Sequence, residues 1–245
     1  IWKNKIFPAV KFLRKFNMIK EEEKEQELLS ILKLVSPGTA LRSAIEDIAK
    51  AKLGALIVIS DSPDVLKLTN GGFEVNCKFN PQKLVELCKM DGAIILDSDI
   101  KKILFANTLL VPDHTILTSE TGTRHKAAER TAKQTNQLVI TVSERKNIIT
   151  IYKGNMKYVL KSSEDILNRA DATLRMLEKE KERFNELLMN LNVLEFTNLA
   201  SINDVVTTVQ RAEISSRIED IIRRYILELG VEGSLVKIQL KEMRK

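Results

Sequence analysis

Cysteine and histidine are scarce in this chain, and their scarcity removes several classes of protein at once. Cys77 and Cys88 are the only cysteines among 245 residues, and there are only two histidines. A disulfide framework and a clustered zinc site are both excluded, which leaves a reduced, intracellular, cytoplasmic protein as the plain reading. No apolar run approaches the ~20 residues that a membrane span needs, so no membrane partner is expected. No G-x-x-x-x-G-K-[ST] loop occurs, which argues against a P-loop ATP hydrolase. The formal net charge of +6 is local: Lys3, Lys5, Lys11, Arg14 and Lys15 stand in residues 1–17 with no acid. The remainder holds 34 basic against 33 acidic residues, so the isoelectric point says nothing about nucleic acid.

What is present is 44% apolar and 29% charged residues, the balance of a globular chain long enough for one or two cores. Residues 1–17, with Trp2, Phe7, Phe12 and Phe16, read as an upstream or non-native extension rather than a signal peptide, because lysines interrupt any apolar region. Helices are expected over 21–35 and 41–51, the second capped by Thr39, and a buried strand over Ala55–Ile59. Asp61 to Asp64 and Gly71-Gly72-Phe73 read as turns. Asn80-Pro81 opens a helix over 82–89. Strands follow at 93–97 and 103–106, with 107–112 as a loop that brings Leu109 and Leu110 towards a pocket. Asp97 and Asp99 resemble a metal pair but read as an Asx turn between those strands. A helix over 124–135, a strand over 138–142 and a hairpin over 148–160 complete an α/β domain with a mixed sheet flanked by helices.

The composition changes after residue 161. A long helix carries Leu167, Ala170, Leu174, Leu177, Phe184, Leu188 and Leu191 at three–four spacing, broken at Lys181. A second helix, about 203–229, places Val205, Val209, Ile218, Ile221, Tyr225 and Leu229 inward and stops at Gly230, and a third begins near Ser234. Such stripes are core packing, so the all-α region 162–245 is assigned no chemistry. The expected domains are therefore 18–161 and 162–245.

Two short segments carry chemistry. Asp91-Gly92 stands at the mouth of the apolar run 93–96, where a carboxylate meets a residue that lets a ligand approach the backbone. Ser119 to Thr123 reads as a turn with capping hydroxyls that opens a helix, an anion site to which Arg124, His125 and Lys126 add donors. A metal-holding carboxylate facing a phosphate cradle suggests nucleotide chemistry.

The stretches DGAIILD (91–97), ANTLLVPD (106–113), TSETGTRHKAAERTAKQT (118–135) and VSER (142–145) resemble, in order and spacing, the diadenylate cyclase domain of the bacterial DNA integrity scanning family. SPGTALRSAIEDIAKAKLGALIVI (36–59) extends the likeness, and the downstream helices resemble that family's linker; the whole covers about residues 18–245. The resemblance implies a cyclase that joins two ATP into cyclic di-AMP and releases two pyrophosphates. It implies that Asp91 holds Mg²⁺ or Mn²⁺ near the attacking hydroxyl and Gly92 gives a backbone contact. Leu110 would meet adenine, while Thr123, Arg124, His125, Lys126 and Ala127 occupy the phosphate-binding turn and Ser143 lies beside the terminal phosphates. It also implies a homo-oligomer of facing active sites, an octamer, with DNA bound through a helix-hairpin-helix domain after the linker. This chain stops within its third linker helix, and residues 161–245 hold 14 Lys and Arg against 15 Asp and Glu, a balance that gives DNA little to bind. The family's usual Arg-His-Arg-Thr is here Arg124-His125-Lys126-Ala127. Lys lacks the planar fork and Ala lacks a hydroxyl, so a slow or inactive nucleotide sensor, or a structural oligomer, is the alternative.

Overall fold

The short apolar runs become the centre of a sheet in the computed structural model, which describes residues 26–243. The expectations for residues 1–17 and for the start of the first helix lie outside that range. By contacts the described chain divides into two units, one of residues 39–162 and one that joins the residues up to Gly38 to Ser163 and beyond.

In the unit of residues 39–162 one helix precedes the first strand. The chain enters through α1, residues 26–34, which belongs to the other unit, and Thr39 then caps α2, Ala40–Lys50, by accepting from the Arg42 N–H. Next comes β1, Ala55–Ile59, buried along its whole length. A short helix α3, Pro63–Lys67, stands where a turn was expected, because Ser62 caps it and proline occupies its first turn. The strands β2, Thr69–Asn70, and β3, Phe73–Lys78, were not anticipated, although Phe73, Val75 and Cys77 do alternate with polar residues. Helix α4, Pro81–Leu87, is capped by Asn80 as read.

β4, Ala93–Leu96, pairs parallel with β1, and β5, Lys102–Leu110, returns antiparallel to β4. β5 corrects the expected loop at 107–112: residues 107–110 continue the strand. The two-residue periodicity fails there because the register shifts between Ala93 and Ile95, and Asn107 adopts a left-handed φ of 55°. An extra residue in one strand unpairs the alternation, so the strand signal stops one residue before the bulge. Helix α5, Thr123–Thr135, leads to β6, Leu138–Val142, and then to the hairpin β7, Ile149–Lys153, and β8, Met156–Val159.

The sheet runs β2-β5-β4-β1-β6-β7-β8, with β3 also on β5. Successive side chains face opposite sides. Leu56, Val58, Ala93, Ile95, Val139 and Tyr152 face Ala128 and Ala132 of α5. Ile57, Ile94 and Ile140 alternate with them and are equally buried. Asp97 Oδ1 accepts from the N–H groups of Lys101 and Lys102 at 2.7 Å, and Asp99 pairs with Lys101, so these acids are the Asx turn that was read.

In the other unit, α6, Ser163–Phe196, packs with α7, Ile202–Leu229, and α8, Ser234–Met243. Pro37 accepts from the Val231 N–H in this unit, tying the end of the α1 segment to the turn after α7. The seam holds only in part. Ala170, Leu174 and Leu177 are buried against Ile218, Ile222 and Leu229. The next inward position is Glu180, not Lys181, and Glu180 takes Arg183 and Arg211 at 3.0 Å each. Beyond this polar layer Leu188, Val205 and Val209 are exposed, as is Ile221, contrary to the expected stripe. The expected result is that Leu177→Ala costs about 2–5 kcal/mol and Leu188→Ala under about 1 kcal/mol. Urea unfolding of both variants checks this; equal losses would show that the seam is buried along its full length. No described helix is long and apolar enough to cross a membrane.

Candidate active site

The bulge and the start of α5 bring the two predicted segments together. Gly92 has φ +108°, and a Cβ there would lie 2.8 Å from the Asn107 carbonyl carbon and 3.0 Å from Thr108 O. Only glycine fits that approach, and it sets Asp91 at the outer edge of β4. Thr108 Oγ1 donates to Ala93 O at 2.9 Å and fixes the crossing.

Gly122 is the N-cap of α5, and no side chain caps the helix. This corrects the expected hydroxyl caps: Thr118 Oγ1 instead accepts from the Glu120 N–H within the preceding loop. The leading N–H groups of α5 therefore lack a side-chain acceptor, at the positive end of the helix dipole. Arg124 reaches back from that first turn. Its Nη2 donates to Asp91 Oδ1 at 2.7 Å, and its Nη1 lies 3.8 Å from Glu144 Oε2. Gly54, ahead of β1, leaves the space for this guanidinium, since a Cβ there would overlap Arg124 Nη1 and stand 3.0 Å from Cζ.

A cavity of about 420 Å³ opens between these elements. Its lining combines polar groups, Asp91, Gly92, Thr123, Arg124 and Lys126, with the apolar side chains of Leu56, Leu110, Pro112 and Ala127, and includes His114 and Arg130. A pocket lined by both anion-seeking and apolar groups accommodates a molecule that carries both kinds of surface. Leu110 is buried at the end of β5, while its neighbour Leu109 is 61% exposed.

Residues 42–157 match the family model described as the DisA bacterial checkpoint controller nucleotide-binding domain, and residues 160–245 match that controller's linker region. The DNA integrity scanning protein DisA of Clostridium botulinum strain Loch Maree is 52% identical over 223 residues, covering 91% of this chain and 63% of the relative. That of Clostridioides difficile strain 630 is 49% identical over 218 residues, 89% of this chain and 61% of the relative. The chain belongs to the DisA family. It spans about 63% of the length of the curated relatives it matches. A solved structure of DacA from Staphylococcus aureus is a more distant likeness, 23% identical with a TM-score of 0.43, covering 58% of this chain and 91% of that one.

Within this DisA-family chain, the cavity gathers Asp91, Gly92, Leu110, Thr123, Arg124, Lys126 and Ala127. His125 and Ser143 do not line it. His125 is half-buried behind the Gly122 turn, with its Nδ1 3.4 Å from where a Gly122 Cβ would stand. Burial lowers its pKa, against the opposing pull of Glu120. Glu120 in turn accepts from Tyr152 Oη at 2.8 Å and pairs with Lys157; burial alone would raise its pKa, and these two partners bring it below the usual range. Ser143 Oγ accepts from the Lys146 N–H in the turn after β6. Sequence reasoning missed Gly54, Leu56, His114, Arg130 and Glu144. Glu144, Arg130, Gly54 and Leu56 stood inside the quoted stretches 142–145, 118–135 and 36–59, and His114 directly follows 106–113, but their places in the site follow from the fold.

Among the described residues no group of three or more His, Cys, Asp or Glu could hold a metal. Asp91 is the only acidic residue among those that line the cavity. One carboxylate with open space beside it suits Mg²⁺ or Mn²⁺, which take one or two carboxylates and fill their remaining positions from phosphates and water. It does not suit zinc, which takes three or four protein ligands.

Proposed function

We propose that this chain is the cyclase part of a DisA-family protein: a diadenylate cyclase that condenses two ATP into cyclic di-AMP. The observation that carries the reading is the cavity that brings Asp91-Gly92, the uncapped start of α5 and the apolar side chains of Leu110 and Leu56 into one lining. In each half-reaction a bond forms between one ATP's 3′-oxygen and the other's α-phosphorus. The bond from that phosphorus to the pyrophosphate oxygen breaks, and the hydroxyl proton is lost. Asp91 would hold Mg²⁺ or Mn²⁺, whose chemistry when bound would be Lewis-acid charge favouring loss of the hydroxyl proton. Thr123, Arg124 and the first-turn N–H groups of α5 bind phosphate oxygens, and Lys126 adds a point charge. Arg124 is anchored by Asp91, so the two groups orient each other before substrate arrives. His125, half-buried against Gly122 and outside the cavity, supports the turn. Ser143 lies near this site through Glu144, which faces Arg124.

One cavity of this size takes one ATP, so two copies must face each other, and an octamer of such dimers is the assembly we propose. DNA binding belongs to the longer protein on this reading. The deciding experiment incubates the purified chain with ATP and Mg²⁺ or Mn²⁺ and identifies products by mass. Cyclic di-AMP is the expected product; ADP and phosphate alone, or unchanged ATP, would refute the assignment.

Lys126→Arg is expected to leave turnover equal or to raise it, because a guanidinium can grip phosphate oxygens with two parallel hydrogen bonds. Lys126 is exposed, so the fold does not oppose the change. A drop beyond about tenfold, roughly 1.4 kcal/mol of transition-state binding, would show that the site is built around the ammonium.

A further inference from the structure

The cavity is lined in part by a pair, His114 and Arg130, that the proposed chemistry does not use. His114 sits in the loop after β5, and Arg130 lies about 10 Å along α5 from Thr123 at 1.5 Å per residue. Arg130 therefore lies about two turns along the helix from its first turn. The loop is fixed by α5. Arg130 Nε donates to Ile116 O and its Nη2 to His114 O, each at 3.0 Å. Lys133 Nζ donates to Leu117 O at 2.8 Å, and Gln134 Oε1 accepts from the Asp113 N–H at 2.9 Å. The backbone that carries His114 is thus held before any ligand arrives, which lowers the ordering cost of binding.

The remaining Arg130 nitrogen decides the state of the histidine. Nη1 lies 3.3 Å from His114 Nδ1. A guanidinium can only donate, so Nδ1 must accept, and the proton of the neutral ring sits on Nε2. No described residue takes that Nε2 proton in a hydrogen bond. From this, and resting on the cyclase reading above, we infer that His114 is a base-recognition residue: its Nε2–H donates to an acceptor nitrogen of the purine ring held between Leu56, Leu110 and Ala127. Arg130 is the positioning residue that fixes the tautomer and the loop together.

The test uses the whole chain, with ATP, inorganic tripolyphosphate and the 1-, 3- and 7-deaza analogues of ATP as probes in binding titrations. His114 is an exposed loop residue, so its variants should fold as the parent does. His114→Leu should weaken ATP binding about 3- to 10-fold, the scale of one neutral hydrogen bond, and leave tripolyphosphate unchanged. His114→Gln, whose amide nitrogen reaches near the Nε2 position, should restore most of the loss. One deaza analogue should lose the same factor against the parent chain and nothing further against His114→Leu. An equal loss for tripolyphosphate would make His114 a phosphate contact and overturn the inference, as would unchanged ATP binding in His114→Leu. If the parent chain binds none of the nucleotides, the cyclase reading itself fails, an outcome distinct from either of these.

Discussion

Asp91→Asn is expected to abolish cyclic di-AMP formation, a loss of about a thousandfold or more, while ATP still binds. Asparagine keeps the shape of the side chain and an oxygen that can accept the 2.7 Å bond from Arg124 Nη2. What it loses is the negative charge, and no other acid lines the cavity to replace it. Groups that act mainly in the transition state typically contribute about 10²–10⁴ in rate, and on the proposed reading the change would also remove the metal. That reading puts most of the binding contacts on α5 and the apolar side chains, so affinity for ATP without metal should change little. The Asp91 side chain is 95% exposed, and an exposed ion pair contributes little to stability, so the melting temperature should hold. Product analysis, an ATP titration and a thermal melt on the same sample decide it. Turnover near that of the parent would remove Asp91 from the role given to it, and a collapsed melting temperature would make the position structural.

The second large effect is expected from a residue that touches no substrate. Gly54→Ala should lower turnover by about a hundredfold and leave the fold intact. Its added methyl would occupy the space of the Arg124 guanidinium, the far end of a flexible side chain that can move aside at little cost. Gly54 does not adopt a positive φ, so alanine strains no backbone there. The contrast is Gly92, where φ is +108° and the obstructing atoms are the backbone of β5, so alanine would shift the strand pair itself. Displacing Arg124 breaks its pair with Asp91 and withdraws its charge from the cavity. Charged hydrogen bonds at such a site contribute about 2–3 kcal/mol each, the basis of the expected factor. The cycle with Arg124→Ala separates mechanism from coincidence. If Gly54 acts only through Arg124, the double variant should be no slower than Arg124→Ala alone, whereas independent effects would multiply.

The legible part of this protein was local. Short, β-branched, mostly apolar runs such as Ala55–Ile59 and Leu138–Val142 read as buried strands, and Thr39, Asn80 and Gly230 mark helix ends through hydrogen bonds that reach a few residues. The Asp91-Gly92 and Thr123-Arg124 segments were legible as well, because a carboxylate before glycine and an arginine at a helix start have meaning at short range. β5 was half-read because its bulge at Asn107 is imposed by the crossing with β4, and a bulge erases the period by which a strand is recognised. The helical seam was read too long. Spacing identifies a helix face but not how far a partner helix covers it, and the inward Glu180 needed Arg211, 31 residues away, as its partner. The sequence by itself determined most of the strands and helices and placed Asp91-Gly92 at a strand's mouth and Thr123-Arg124 at a helix start. The tertiary structure alone decided that Gly54 makes room for Arg124, that Arg124 joins Asp91, and that Arg130 holds the loop of His114. Each of these is a contact between residues distant in the chain, and no periodicity or local preference encodes such a contact.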